Sequence, residues 1–237
     1  MSDPTRTEEI ETGDGPMGAY VALPASGSGP GMLLIHEIFG VNDSVRDAAQ
    51  RLAGAGYVAL APDLFWRTQP GLDLPNDDAG MKAGMAAAQE LDGELARADA
   101  LAALAALREL PEVPAGRAGV LGFCFGGSMA WQVAAHGDPD VAVAYYGSAI
   151  PGALDLADRV TCPVLMHWGG ADPFIPRESI DAVAAMAAQR DNIEVQIHEG
   201  AGHAFDNHRS ERFYVPEASA AAWEQTAAFL ARELPVG

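Results

Sequence analysis

Short apolar runs alternate with amphipathic segments along almost the whole chain. Continuous apolar runs bounded by turn residues are typical of strands that are buried on both faces of a sheet. They predict strands at 17–23, 31–36, 57–64, 117–123, 141–147, 162–169 and 192–200. The segments between them show helical spacing or helix boundary signals, and predict helices at 42–56, 77–110, 126–136, 176–190 and 217–233.

The regular alternation of strands and helices predicts an α/β fold. Right-handed crossovers between such units give a mostly parallel central sheet with helices on both faces. No internal repeat or long linker divides the sequence, so we expect a single domain over 1–237. The longest irregular connection is segment 67–80, which is either a lid beside a functional site or a plain surface loop.

Composition narrows the class of protein. The chain has 237 residues, of which 49% are hydrophobic, and its formal net charge is -19. Such a charge repels phosphates, so we expect no nucleic-acid partner. No apolar stretch reaches the ~18 residues of a membrane span, and no secretory signal is visible. With only two cysteines, the sequence predicts a cytoplasmic protein with reduced thiols.

One of the two cysteines lies in a motif that carries chemistry. Cys124 follows the strand 117–123 in the stretch Gly-Phe-Cys-Phe-Gly, which matches the nucleophile elbow G-x-S-x-G with cysteine in place of serine. The turn would place the thiol at the N-terminus of the next helix, where the helix dipole stabilises a thiolate. The alternative is a small buried cysteine in a glycine-rich turn.

A nucleophile of this kind needs a base and an acid that orients the base. Asp172 follows the strand 162–169, and His203 follows the strand 192–200. The order nucleophile, acid, histidine is the one found with this elbow, and all three residues lie at the same edge of the sheet. The alternatives are an Asx turn at Asp172 and a solvated loop position for His203.

Acyl transfer also needs two N–H donors for the negative charge that develops on the carbonyl oxygen. One predicted donor is the backbone N–H of Phe125, the residue after the cysteine. The other is the backbone N–H of Ile38, in the stretch HEIFG that follows the strand 31–36.

The stretches HEIFGVN, APDL, GFCFGG, YYG, GGADPFIP and GAGHAF together resemble the dienelactone hydrolase family. The resemblance covers about residues 30–230 and implies an α/β-hydrolase fold with a Cys-His-Asp triad. It implies Cys124 as nucleophile, His203 as base and Asp172 as its partner. It also implies that Glu37 lies close to the thiol and takes its proton when substrate binds. A small ester or lactone substrate and the absence of a cofactor follow from the same resemblance.

The sequence departs from the family pattern where members that act on dienelactone hold the substrate carboxylate with arginines. One of those arginines shortly follows the triad histidine, whereas Asp206 and Asn207 stand in that region here, and segment 76–91 has only Lys82 as a basic residue. A carboxylesterase of broad specificity is therefore the alternative. The candidates for the pocket lining are Phe39, Trp66, Arg67, Tyr145 and Phe174.

Other functions are less consistent with the sequence. The stretch HEGAGH has one residue too many for the zinc motif H-E-x-x-H, so we expect no metal. Cys162 is interpreted as a core residue, and a redox sensor would need it to pair with Cys124. A ligand-binding protein without catalysis is a further alternative on the same fold. We expect a monomer or a small homo-oligomer.

Overall fold

The computed structural model describes residues 4–237, which form one eight-stranded sheet in the order β1-β2-β4-β3-β5-β6-β7-β8. The β1/β2 and β2/β4 pairs are antiparallel, and the remaining pairs are parallel. The strands are β1 Thr5–Thr12, β2 Gly15–Ala22, β3 Gly31–Ile35, β4 Val58–Pro62, β5 Ala118–Phe123, β6 Ala142–Tyr145, β7 Val164–Gly169 and β8 Ile193–His198.

All seven predicted strands are present, and β1 was missed. The sequence of β1 is largely polar, and only Ile10 in it is buried. An edge strand that pairs on one side only needs little apolar surface, so its sequence lacks the apolar run that indicates the inner strands.

The helices are α1 Asp43–Gly54, α2 Asp78–Glu90, α3 Gly93–Glu109, α4 Phe125–His136, α5 Arg177–Ala187 and α6 Pro216–Glu233, with a 3₁₀ segment at Ile150–Arg159. The single helix predicted at 77–110 is therefore wrong. Asp92 interrupts it, because its carboxylate accepts the backbone N–H groups of Glu94 (2.9 Å) and Leu95 (3.2 Å) and so caps the start of α3.

The core lies on both faces of the sheet, as the mostly parallel arrangement predicts. Alternate residues of β3 enter the two layers, since successive side chains of a strand point to opposite faces. Leu33 and Ile35 pack in the layer that α3, α4 and α5 cover. Met32 and Leu34 pack in the layer that α1 and α6 cover.

The carboxyl ends of β3, β5, β7 and β8 lie at one edge of the sheet, because these strands are parallel. The loops that carry the predicted chemical groups start there. Segment 67–80 is irregular until α2 begins, and the Leu74 N–H donates to the Phe39 carbonyl at 3.0 Å. Its role as a lid stays a prediction. Within residues 4–237, no helix has the length and apolarity that crossing a membrane requires.

Candidate active site

Cys124 occupies a sharp turn between β5 and α4. Its backbone has φ 54° and ψ -112°, a conformation that residues with a side chain rarely adopt. Flanking glycines make the turn feasible. A Cβ on Gly122 would lie 2.0 Å from the Gly126 carbonyl oxygen, and a Cβ on Gly126 would lie 2.1 Å from that of Ile35. The glycine spacing in the sequence therefore reflects a close approach of three backbone segments.

The turn brings the thiol to the predicted histidine and aspartate. His203 Nε2 lies 3.1 Å from Cys124 Sγ, and His203 Nδ1 lies 2.7 Å from Asp172 Oδ2. The side chain of Asp172 is fully buried, and that of His203 is 9% exposed. The thiol, the imidazole and the carboxylate thus form one continuous chain of contacts.

Asp172 also makes the Asx-type contacts that were the alternative for this residue. Its Oδ1 accepts the backbone N–H groups of Phe174 (2.8 Å) and Ile175 (3.1 Å), while Oδ2 faces His203. The two interpretations are therefore compatible, because one oxygen shapes the loop and the other orients the imidazole. Burial of His203 excludes the solvated-loop alternative.

The charges around His203 favour its protonated form. Burial opposes the charge, but the hydrogen bonds and charges of Asp172 and Cys124 outweigh it and raise the pKa of His203 to about 10. At neutral pH this environment favours an imidazolium ring beside the sulfur atom. Such a ring stabilises a thiolate, the reactive form of cysteine.

Glu37 is a second buried carboxyl group in this region, with 5% exposure. Burial raises its pKa to about 7, although the charge of His203 and a hydrogen bond from Asn207 partly oppose the shift. Asn207 Nδ2 donates to Glu37 Oε2 at 2.5 Å and to Asn76 Oδ1 at 2.8 Å. No cation pairs with Glu37 among the described ion pairs, so its charge depends on pH near neutrality.

Asp206 and Asn207 stand where the resemblance led us to look for a substrate-binding arginine. Asp206 pairs with Arg51 at 2.6 Å and accepts a hydrogen bond from Ser219 Oγ at 2.7 Å. The guanidinium of Arg51 is therefore already engaged by a buried carboxylate. These contacts link two distant helices and were not predictable from local sequence.

A cavity of about 100 Å³ lies beside Glu37. Tyr146, a site residue that the sequence analysis missed, contributes to its wall. The ring of Tyr146 lies 5.2 Å from that of His203, and its backbone has φ 40°. Its buried hydroxyl has no hydrogen-bond partner among residues 4–237. The full lining is Glu37, Ser44, Val45, Asp47, Ala48, Arg51, Phe123, Tyr146, Asp206, Asn207 and His208.

The two predicted N–H donors belong to segments that follow β3 and β5. Within residues 4–237, the backbone N–H groups of Ile38 and Phe125 donate to no carbonyl oxygen. Unpaired N–H groups of this kind are what an oxyanion hole requires.

The pocket-lining candidates divide into two groups. The Phe174 ring is 54% exposed and meets His203 edge-on at 5.4 Å, whereas Phe39 is buried next to Ile38. The structure does not bring the other three, Trp66, Arg67 and Tyr145, to the thiol as a lining.

Those three side chains have partners elsewhere, which corrects the prediction. Tyr145 is fully buried, and its hydroxyl bonds to Thr226 at 2.7 Å. Trp66 Nε1 and Arg67 Nε both donate to the buried carboxylate of Asp99 at 2.8 Å. The hydroxyl of Tyr145 is thus hydrogen-bonded to α6, and the polar groups of Trp66 and Arg67 are hydrogen-bonded to α3.

The second cysteine lies far from the first. The parallel register pairs Phe123 with Tyr145 and Tyr145 with His167, so Cys162 lies about six residues below the level of Cys124. At ~3.3 Å per residue this separation is roughly 20 Å along the strands. A disulfide needs Cα atoms within about 7 Å, so pairing would require rearrangement of the sheet.

Within residues 4–237, no three His, Cys, Asp or Glu side chains form a group that could hold a metal.

The strand order, the antiparallel second strand and the elbow before α4 define an α/β-hydrolase fold. Comparison with known proteins specifies the family. A sequence model described as the dienelactone hydrolase family matches residues 17–234. The chain therefore belongs to the dienelactone hydrolase family.

Similar proteins agree with this assignment. The chain is 34% identical to a carboxymethylenebutenolidase of Pseudomonas sp. (strain P51), over 95% of this chain and 94% of that one. It is 36% identical to a carboxymethylenebutenolidase of Pseudomonas putida, over 94% of both chains. A crystal structure assigned as a dienelactone hydrolase of Klebsiella pneumoniae superimposes with a TM-score of 0.83 and 28% identity, covering 97% of this chain and 99% of that one. The protein is a hydrolase of the carboxylic ester class.

Proposed function

We propose that the protein hydrolyses small carboxylic esters or lactones through a thioester formed on Cys124. The observation that carries this proposal is the continuous chain from the Cys124 sulfur through His203 to Asp172, at 3.1 and 2.7 Å. The position of Cys124 at a strained elbow matches the position of the nucleophile in this fold. The names of the Pseudomonas relatives agree with a lactone as one substrate class.

The first half of the reaction forms the acyl-enzyme. The Cys124 thiolate attacks the carbonyl carbon, and the N–H groups of Ile38 and Phe125 hold the resulting oxyanion. When the tetrahedral intermediate collapses, the bond to the leaving oxygen breaks and that oxygen takes the proton from His203 Nε2. A thioester and a neutral imidazole remain, and a lactone substrate keeps its alcohol attached to the acyl group.

The second half releases the acid. Neutral His203 removes a proton from water, and the hydroxide attacks the thioester carbonyl carbon. Collapse of the second intermediate breaks the carbon–sulfur bond, which restores the thiolate beside an imidazolium. The carboxylate of Asp172 keeps Nδ1 protonated throughout, so that Nε2 exchanges the proton.

Glu37 has a separate proposed role in molecules in which the thiol is still protonated. Because its pKa is raised to about 7, its carboxylate can accept a proton at neutral pH and release it again. We propose that Glu37 accepts the Cys124 thiol proton in those molecules when substrate binds. Its only described side-chain donor is Asn207, at 2.5 Å, which orients the carboxyl group without neutralising it.

The charges near the thiol favour an uncharged substrate. Arg51 is paired with Asp206, and Arg209 is paired with Asp47 at 2.5 Å. Each guanidinium is therefore already balanced by a carboxylate and offers no uncompensated positive charge to an anionic substrate. We therefore propose neutral esters and lactones as the preferred substrates. A matched ester pair with and without a terminal carboxylate tests this preference, and a faster reaction of the carboxylated member would contradict it.

Mass spectrometry after mixing with p-nitrophenyl acetate tests the nucleophile. We expect one acetyl group on Cys124 in the wild type and none on Cys124→Ala. Cys162→Ala serves as the matched control and should react as the wild type does. Hydrolysis by Cys124→Ala at the wild-type rate would refute the mechanism. Tight binding of esters without turnover by the wild type would instead favour a ligand-binding protein.

A further inference from the structure

We propose that His36 is a positioning residue for ester hydrolysis, because its imidazole fixes the peptide that presents the Ile38 N–H to the oxyanion. The inference rests on the proposed function of the same site and assigns a role to a residue that the reaction scheme above does not use. His36 ends the apolar run of β3 and directly precedes Glu37 and Ile38. Its side chain is completely buried.

The hydrogen bonds of His36 define its tautomer. The Leu64 backbone N–H lies 3.1 Å from Nε2, and an amide N–H can only donate, so Nε2 is the acceptor. In the neutral ring the proton must then reside on Nδ1. Nδ1 lies 2.6 Å from the Glu37 carbonyl oxygen and donates to it. The ring thus connects the backbone that follows β4 to the backbone that follows β3.

Two features keep the ring neutral and immobile. Burial lowers the pKa of His36, although the Glu37 carbonyl and the charge of Asp63 oppose the shift. A proton on Nε2 would also face the Leu64 N–H. The imidazole packs against the rings of Phe65 and Phe125, at centroid distances of 5.1 and 5.9 Å, and these two rings contact each other at 5.6 Å. His36 therefore contacts the side chain of Phe125, which supplies the other proposed oxyanion donor.

The hydrogen bond from His36 to the Glu37 carbonyl also determines the direction of the Ile38 N–H, because both groups belong to the same peptide. The Glu37 carbonyl and the Ile38 N–H belong to one planar trans peptide and point in opposite directions. Fixing the carbonyl oxygen toward His36 therefore fixes the N–H on the opposite side. The only further donor to this oxygen among the described residues is the Gly40 N–H, at 3.4 Å.

The carbonyl of Ile38, the next residue in the segment 36–38, is also confined. A Cβ on Gly84 of α2 would lie 2.4 Å from the Ile38 carbonyl oxygen, so the backbone of the segment packs directly against that helix. The segment is held by α2 on one side and by His36 on the other. Without the imidazole donor, the Glu37 carbonyl would keep only the long contact to Gly40, and its peptide would be oriented less firmly.

The test compares two reactions of the same thiol. Acylation by p-nitrophenyl acetate passes through an oxyanion, whereas alkylation by iodoacetamide does not. Asparagine and leucine have similar shapes, but only asparagine carries a donor near the position of Nδ1. In His36→Leu we expect acylation to fall about 100-fold, the loss typical of one oxyanion donor. Alkylation should stay within about twofold of the wild type, and KM should change little.

Two further variants complete the design. His36→Asn should recover at least about tenfold of the acylation rate relative to His36→Leu, since the donor is restored. His36→Phe keeps the stacked ring but loses both hydrogen bonds, so it should behave as the leucine variant does. Cys162 is buried, so iodoacetamide should modify it only in unfolded molecules. The fraction of Cys162 that is modified therefore gives the unfolded fraction of each variant, and both rates are normalised to the folded remainder.

The proposal is overturned if His36→Leu is acylated at the wild-type rate, or if acylation and alkylation fall by the same factor. The second result would mean that His36 supports the thiolate or the fold and not the oxyanion hole. Failure of the proposed function gives a different result, because the wild type itself would then carry no acetyl group on Cys124.

Discussion

The Asp172 carboxylate permits a test in which the structure predicts the position of a single proton. Its Oδ1 accepts two backbone N–H groups, from Phe174 and Ile175, and its Oδ2 faces His203 Nδ1. In Asp172→Asn, the two backbone donors hold the amide oxygen at the Oδ1 position. The amide NH₂ group must then face Nδ1, which can only accept from it. The neutral ring consequently carries its proton on Nε2, the atom that should remove a proton from water.

The expected fall of kcat in Asp172→Asn has two causes. The variant places the proton on the wrong nitrogen, and it also removes the negative charge that helps raise the pKa of His203 to about 10. The same substitution in Ser-His-Asp enzymes lowers kcat by about 10⁴-fold through the wrong tautomer. We expect a loss of about that size here, or about 5 kcal/mol of transition-state stabilisation.

The assay measures kcat with p-nitrophenyl acetate together with the ultraviolet absorbance of the thiolate at neutral pH. Both should fall in Asp172→Asn. Asp181→Asn is the control, because Asp181 lies on the nearby helix α5 with an exposed side chain. The reasoning is refuted if Asp172→Asn keeps more than about a tenth of the wild-type kcat and an unchanged thiolate absorbance.

Three further predictions concern the surroundings of the thiol. Because burial raises the pKa of Glu37 to about 7 from 4.5, the folded state binds its proton more tightly, so the free energy of unfolding falls as pH rises through this window. Urea titrations should show that Glu37→Gln lacks this fall, a difference of about 3 kcal/mol, and equal pH dependence in both proteins would contradict it. Asn207→Arg should raise kcat/KM about tenfold for a carboxylated ester relative to its neutral analogue; an unchanged ratio would show that position 207 does not contact the substrate. Gly126→Ala places a Cβ 2.1 Å from the Ile35 carbonyl oxygen, so both Tm and the rate of Cys124 acylation should fall, whereas a wild-type rate would contradict the close approach.

The residues that the sequence identified share one property, which is that local pattern and strand order determine their position. Cys124, Asp172 and His203 each follow a strand of the parallel part of the sheet, and parallel strands bring such positions to one edge of the sheet. Their spacing in the chain therefore carries information about their distance in space. The buried inner strands such as β3, β4, β5 and β7 were predictable for a related reason, since each is a short apolar run.

The residues that sequence analysis missed depend on contacts between distant segments. Asn207 reaches Glu37 across 170 positions, and His36 is oriented by the backbone of Leu64. The errors at Trp66 and Arg67 have the same origin, because the carboxylate that engages both, Asp99, lies on a helix more than thirty residues away. Neither local periodicity nor a short motif contains such pairings.

The charges of the site explain why Glu37 differs from its acidic neighbours. Asp172 is balanced by His203, and Asp206 is balanced by Arg51. Glu37 faces the amide of Asn207, which donates a hydrogen bond but carries no charge. It is therefore the carboxyl group in this cluster whose ionisation is not fixed by a partner, and burial raises its pKa into the neutral range. Ionisation of Glu37 adds a negative charge near His203 and opposes the approach of an anionic substrate. An uncharged ester or lactone does not meet this repulsion, so the uncharged amide of Asn207 beside Glu37 agrees with the proposed preference for uncharged substrates.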